Sequence, residues 1–536
     1  MTDETKNQDN NTDDKAEEIR KQVESRVHAA GIKSSLAGGN GRPKVSSSFV
    51  RKCLRSNELG EGLLYAALHR NHFIYNNATK EWFNWIGHHW DRDILNMSLA
   101  NIETVVNRLV EEAAKISDEI TWQNKKGDDQ AVKHLQNTLG MIYSRISRLR
   151  TDRGRNNCLK FARTNFDPLA LRGDEFDLNP WLLPCTNGVI DLRTGNFRDG
   201  RPTEYMYLAC PTEWQGLKAP CSRWKKFLLE IHNGKKEMVD YMQRLLGYSI
   251  LGTNIEHIFP VLYGPGGRNG KSKLVEALNF TLGPIAGPIQ SELLLDQGRA
   301  RTSQGPSPDI MALKGLRIAF ASETDEGRRF SSATVKWLTG GDKLVGRYPH
   351  DKYNIHFKPT HTLFLLTNRK PSAPGDDHAF WERMHLIPFR LSFVTRKPVK
   401  DHERRADIHI GEKLQEEAPG ILAWLVRGCL DYQKDGLNPP LEIIEATAEY
   451  RRNEDILADW LEDYCDVGPD EKGQASDLYD HFAKWFKQNV SRKKAFSQRR
   501  FGTLLGRQFE KVKIEGTVFY IGVDLDPAAP PLSGED

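Results

Sequence analysis

The stretch IFPVLYGPGGRNGKSKLVEAL, residues 258–278, limits what this chain can fold into more than any other. Strand-forming residues from Ile258 to Tyr263 run into a glycine-rich turn that ends in Gly270-Lys271-Ser272, and an amphipathic helical pattern follows. A strand, a tight turn and a helix in that order aim backbone N–H groups and the positive end of the helix dipole at one point, a construction that holds phosphate. Glycines let the backbone turn tightly and approach an oxyanion closely. Lys271 would meet the β- and γ-phosphates as a point charge, and Ser272 would offer its hydroxyl to Mg²⁺. The spacing departs from the usual pattern: five residues, Pro265 to Asn269, separate Gly264 from Gly270, where four are expected. The loop tip can absorb the extra residue without moving Gly270-Lys271-Ser272 from the helix start. The candidate ATP ligands are Gly264, Pro265, Gly266, Gly267, Arg268, Asn269, Gly270, Lys271, Ser272 and Lys273, set against a chance glycine-rich turn.

Hydrolysis needs more than a cradle. LRIAFASETDEG carries the run 316–321 and then Glu323, placed to polarise an attacking water. Ser322 stands where an Asp usually precedes that acid, so Mg²⁺ would be held by Ser272, phosphates and water, with Glu323 or Asp325 in an outer shell. HTLFLLTN ends in Asn368, which could orient the water; taken alone, an Asn after a strand is a turn residue. In HAFWERMHLIPF, Arg383 sits one turn into a short helical stretch before another strand. It could reach a neighbouring copy's γ-phosphate as a finger in trans, or be an ordinary surface arginine. From 256 to 394 strand-like and helical runs alternate, which predicts a layered α/β domain.

The 536 residues allow about three or four domains. Residues 1–47 are polar and almost without aromatics, so disorder is expected there. Residues 48–250 read as mixed α+β: aromatic strands over NHFIYNNATKEWFNWIGHHWDRD, a helix from Ile102 to Ile116, a break at TWQNKKGDD, a second helix from about Ala131 to Leu149, and a hairpin in LPCTNGVIDLRTGNF. A helical region is expected over 396–465, a basic unit over 466–525 and a disordered Pro-rich tail over 526–536. That unit reads helix, helix, hairpin, and between Lys484 and Lys513 its only acid is Glu510. Its one-signed face, with Lys493, Lys494, Arg499 and Arg500, is a phosphate-binding footprint, or else a protein-docking face. No apolar run reaches the ~18 residues of a membrane helix, and no apolar signal opens the chain, so a soluble protein of a cytoplasm is expected. The seven scattered cysteines contain no C-x-x-C and predict reduced thiols rather than a zinc ribbon. His69-x-x-His72 and His88-His89 have no further ligand at metal-binding spacing.

Taken in order, GPGGRNGKS, ASET, VKWLTGGDKLVGR, LLTN and FWERMHLIPF resemble the superfamily III helicases, in particular the phage and plasmid primase-helicase family whose relatives include the poxvirus helicase-primase. The resemblance extends over about residues 60–525. It departs by the extra loop residue and by Glu382 in Trp-Glu-Arg. It implies a AAA+ P-loop core that assembles as a ring, commonly a hexamer, around single-stranded DNA and moves on forked DNA in replication of a phage, plasmid or other mobile element in a bacterial host. It further implies that Lys271, Ser272, Glu323 and Asn368 act in cis with ATP and Mg²⁺, and Arg383 in trans. RYPHDKYNIHF would be the DNA-contacting hairpin, with Arg347, His350 and Lys352, and the basic end unit a winged helix. About 250 residues precede the loop, and they resemble the family's pre-helicase region, so the expectation is a helicase that lacks its own primase and works with a separate one. Two alternatives remain: a non-helicase P-loop ATPase of packaging or defence, and an origin-binding or primase-recruiting initiator.

Overall fold

The computed structural model describes residues 45–298, 305–322, 328–349, 353–375, 377–454, 456–489, 497–506, 508–529 and 532. The chain divides into two compact units: residues up to Asp191 with Asn196–Trp214, and Leu192–Gly195 with everything from Gln215 onward.

The first unit joins a helical core to small sheets. Helix Ile102–Lys126 buries Ile102, Val105, Val106, Leu109, Ala113 and Ile116, the spacing expected of one apolar face. It does not break at TWQNKKGDD. It continues to Lys126 and stops at Gly127, whose φ of +73° closes the helix while its N–H bonds the Asn124 carbonyl. The distal stretch is polar because its turns leave the core. Asp128 then caps helix Asp129–Leu149 by accepting from Ala131 N. Strands Phe73–Asn76, Glu81–Trp85 and Trp90–Arg92 form the expected antiparallel meander, extended by Ala170–Leu171 in parallel. Strands Leu182–Cys185, Gly188–Asp191 and Asn196–Arg198 make a second small sheet.

The second unit is built on five parallel strands: β1 (Phe259–Tyr263), β2 (Ala286–Ile289), β3 (Ile318–Ser322), β4 (Thr362–Thr367) and β5 (Met384–Pro388). Their order is β5-β1-β4-β3-β2, and every neighbouring pair is parallel. Nearly every residue of β1, β3 and β4 is buried, as a sheet covered on both faces requires. Both margins are blunted. At β2, exposed Pro288 has no N–H to offer, and at β5 the Leu386 N–H is taken by the Thr447 hydroxyl at 2.9 Å. Helix α1 (Lys271–Leu282) connects β1 to β2. Helices Ser222–Ile231 and Lys236–Ser249 fall in this unit.

The region expected to be helical over 396–465 also holds a short strand, Glu403–Arg405, which pairs in parallel with Ser392–Val394 just ahead of that region. Its last helix, Ile456–Tyr464, belongs to the C-terminal core, because Leu457, Trp460 and Leu461 are buried against Leu478, Phe482, Trp485 and Phe501. The strand Cys465–Gln474 was not legible in the sequence. CDVGPDEKGQ carries Gly, Pro and charge, and it is held by backbone pairing to Thr517–Leu525 across an irregularity between Val467 and Lys472. The resulting order is helix, strand, helix (Ala475–Asn489), helix (Gln498–Leu505), strand (Glu510–Ile514) and strand (Thr517–Leu525).

Candidate functional site

β1 delivers the chain to Gly264 at the carboxyl edge of the sheet, and α1 begins at Lys271 with Gly270 as its cap at φ +87°. Between them Gly266, Gly267 and Arg268 all take positive φ, at +75°, +72° and +56°. This left-handed tip takes up the extra residue and leaves Lys271 at the helix start. The N–H groups of the first turn of any helix have no intrahelical acceptor and point toward the loop. Two glycines are closely approached by side chains. A Cβ on Gly264 would stand 2.6 Å from Lys271 Nζ, and one on Gly270 would stand 2.5 Å from Ile231 Cγ2.

Lys271 is only 7% exposed. Its Nζ donates to Gly264 O at 3.2 Å, Asn269 Oδ1 at 3.1 Å and Asn368 Oδ1 at 2.9 Å. All three acceptors are neutral, and burial pushes the ammonium down to about 8. A buried cation held by neutral dipoles beside a helix N-terminus is matched to an anion. Asn269, 3% exposed, does more than line the loop. Its Nδ2 donates to Leu391 O at 2.7 Å and Phe389 O at 3.2 Å, just beyond β5, while its Oδ1 holds Lys271. Phe393 N adds a bond to Arg268 O at 2.8 Å. The loop is thus tied to the chain that leaves β5.

Asn368, expected to orient the attacking water, follows the last residue of β4, and its Oδ1 accepts directly from Lys271 Nζ. Ser272 and Lys273 are exposed on the first turn of α1, and Lys273 Nζ pairs with Glu276 at 2.5 Å. Ser322 ends β3 at the same edge, exposed and in register with Leu366. Glu323 and Asp325 lie outside the described residues. Among those described, no group of three His, Cys, Asp or Glu could hold a metal ion.

Arg383 is elsewhere. It precedes β5, and its carbonyl accepts from Phe259 N, the first residue of β1, at 2.5 Å. It therefore sits at the opposite edge of the sheet from Lys271, about 16 Å away along β1 at ~3.3 Å per residue. Its Nη1 donates to Ala379 O at 2.6 Å, and its Nε is buried with no hydrogen-bond partner among the described residues.

Strands Leu344–Gly346 and Ile355–Phe357 form the expected hairpin. Arg347 leaves the first strand and is tied through its backbone to Ser307: Arg347 N donates to Ser307 Oγ at 3.1 Å, and Ser307 N to Arg347 O at 3.0 Å. His350 and Lys352 lie outside the described residues. Tyr348 and Tyr353 flank them in the sequence, 43% and 81% exposed. Sequence reasoning passed over them, although RYPHDKY interleaves aromatic and basic residues. In the C-terminal unit Arg499 is exposed on helix Gln498–Leu505, whose Phe501 and Leu505 are buried. Arg500 lies in the same helix; its side chain, like Lys493 and Lys494, falls outside the described residues. Lys511 and Lys513 are exposed on the following strand. No helix among the described residues is long and apolar enough to cross a membrane.

Residues 62–233 match the family described as D5 N terminal like. The chain is 31% identical over 441 residues to the "Putative helicase L207/L206" of Acanthamoeba polyphaga mimivirus, across 78% of this chain and 45% of that relative. It is 23% identical over 389 residues to 022R of Frog virus 3, a protein described in the same words, across 59% and 40% of the two chains. "Primase D5" of Fowlpox virus is 24% identical over 263 residues, 46% of this chain and 32% of its own. The chain spans less than half the length of these curated relatives. Among solved structures, the C-terminal region of NrS-1 covers 60% of this chain and 80% of its own at 13% identity, with a TM-score of 0.38. These relatives are proteins of eukaryotic viruses, so the expectation of a bacterial host draws no support from them.

Proposed function

We propose, for a chain that belongs to the D5-type primase-helicase family, that it hydrolyses ATP and uses the energy to move along and separate DNA as a ring of identical copies during replication of a viral or other mobile genome. The observation that carries this reading is the buried Lys271, held by Asn269 and Asn368 at the mouth of a strand-loop-helix. A parallel sheet whose inner strand feeds that loop supports a AAA+ P-loop core.

The residues present fit a Mg²⁺–ATP complex. Ser272 would hold the metal with Glu323 or Asp325 in its outer shell, and the bound ion would neutralise phosphate charge. Lys271 and the first-turn N–H groups of α1 bind the phosphates. Asn368 orients Lys271 and the attacking water, and Glu323 polarises that water. Arg383 reaches the γ-phosphate of a neighbouring copy; its position at the far edge of its own sheet supports a role in trans. Arg347, His350 and Lys352 on the hairpin contact single-stranded DNA. The C-terminal helix-strand-helix-helix-strand-strand order supports a winged helix that binds the fork through Lys493, Lys494, Arg499 and Arg500. A separate primase is a further expected partner.

The test uses the purified full chain. ATP hydrolysis stimulated by single-stranded DNA, and displacement of a strand from a forked duplex, are both expected and both lost in Lys271→Ala. Hydrolysis without strand displacement would favour a packaging or defence ATPase instead. Sequence-selective duplex binding without unwinding would favour an initiator.

A further inference from the structure

The helix that carries Arg383 to its place is very short. His378–Trp381 has four residues, too few to hold itself together, because helix nucleation is unfavourable and a single turn returns little. What fixes it is tertiary. Phe380 packs on Phe330 with ring centroids 5.4 Å apart, and Trp381 packs on Tyr450 at 5.2 Å. At its N-terminus Asp377 is the cap: Oδ1 accepts from Phe380 N at 3.2 Å. The other oxygen of Asp377 faces away from the helix it caps. Oδ2 accepts from Ser332 Oγ at 2.5 Å and from Lys336 Nζ at 2.7 Å.

Ser332 and Lys336 lie one turn apart on helix Ser332–Leu338. That helix runs through Thr339-Gly340-Gly341-Asp342 into the first strand of the hairpin, Leu344–Gly346. Gly340 is itself held, its carbonyl accepting from Asn254 Nδ2 at 3.0 Å. One carboxylate therefore joins two elements: the helix that feeds the hairpin, and the turn from whose Ala379 carbonyl the Arg383 guanidinium hangs.

We propose that Asp377 is a positioning residue for Arg383, and that the Ser332–Lys336–Asp377 junction transmits the position of the DNA hairpin to the arginine a subunit offers its neighbour. This rests on the reading of Arg383 as a finger in trans. The junction touches neither phosphate nor DNA. It acts by fixing the last turn before β5, and a displacement of about 1 Å at a catalytic group costs on the order of 100-fold in rate.

The test is complementation with full-length chains. Asp377→Ala is expected to lower ATP turnover roughly 100-fold, with the KM for ATP within about twofold, because the cradle is untouched. Mixed with Lys271→Ala chains it should recover activity, since some interfaces then pair an intact cradle with an intact finger. Mixed with Arg383→Ala chains it should recover none. Asp377→Asn, which keeps the Oδ1 cap and can donate from Nδ2 to Ser332 Oγ while giving up the charge that holds Lys336, should retain more turnover than Asp377→Ala. If Asp377→Ala fails to fold, Lys336→Met reads the same junction with the cap intact, and its turnover and its stimulation by single-stranded DNA should both fall. Unchanged turnover in the folded variants overturns the inference. So does an Asp377→Ala chain that Lys271→Ala cannot rescue while Arg383→Ala is rescued. If mixed rings form and Arg383→Ala with Lys271→Ala recovers nothing, the trans reading of Arg383 falls first and takes this inference with it.

Discussion

Lys271 Nζ lies 2.9 Å from Asn368 Oδ1, joining the loop after β1 to the end of β4, 97 residues further along the chain. The two strands are parallel neighbours, with Thr367 opposite Tyr263, so their carboxyl ends deliver a cation and an amide to one point. The amide oxygen holds the ammonium without neutralising it, which leaves its charge available to phosphate.

Removing either end of that chemistry should separate binding from turnover. Lys271→Ala loses a charge-assisted bond of about 1.5–3 kcal/mol, so ATP binding should weaken roughly 10- to 100-fold, and hydrolysis should fall to background. Glu323→Gln should bind ATP normally and turn it over roughly 10²–10⁴-fold more slowly. Binding by calorimetry and phosphate release distinguish them. A Glu323→Gln chain that fails to bind would make Glu323 a metal or structural group.

The depressed pKa of Lys271 has a measurable sign. With the ammonium near 8, about half the free protein carries the neutral amine at pH 8, and a bound phosphate raises the pKa. ATP binding at pH 8 should therefore take up a fraction of a proton. Uptake should vanish near pH 6.5, where the group is already charged, and affinity should decline above pH 8. Calorimetry in buffers of different ionisation heat measures the uptake directly. Equal heats at pH 8 would rule it out.

Asn269→Ala should cost both stability and affinity. It strips the carbonyls of Phe389 and Leu391 of a buried donor, about 1–3 kcal/mol, or a few degrees of melting temperature. It also frees Lys271 from one of its three acceptors, so the KM for ATP should rise. A lower melting temperature with unchanged KM would mean that the remaining bonds of the loop suffice.

Deleting residues 456–536 removes the whole C-terminal core, including helix Ile456–Tyr464. DNA affinity should drop and its salt dependence flatten, by ~0.9 in log–log slope for each phosphate no longer neutralised. ATPase without DNA should persist. An unchanged slope would assign the basic face to a protein partner.

What could be read from the sequence was local. The strand, glycine turn and helix around Lys271 follow from short-range patterning, as do the buried runs of β3 and β4. Helix Ile102–Lys126 runs past the polar stretch expected to break it, because polarity alone does not end a helix and only Gly127 supplies the backbone conformation that does. The anchoring of Asn269 was invisible, since its acceptors lie 120 and 122 residues away. So was the two-sided role of Asp377, whose partners Ser332 and Lys336 are 45 and 41 residues away. Strand Cys465–Gln474 has almost no apolar signal, because pairing along the backbone defines it rather than burial.

The two blunted margins of the parallel sheet carry a consequence for self-association. With Pro288 at one border and Thr447 occupying the Leu386 N–H at the other, neither border invites a strand from another chain. Continuous intermolecular β-structure, which would polymerise the protein irreversibly, is disfavoured at this five-stranded sheet.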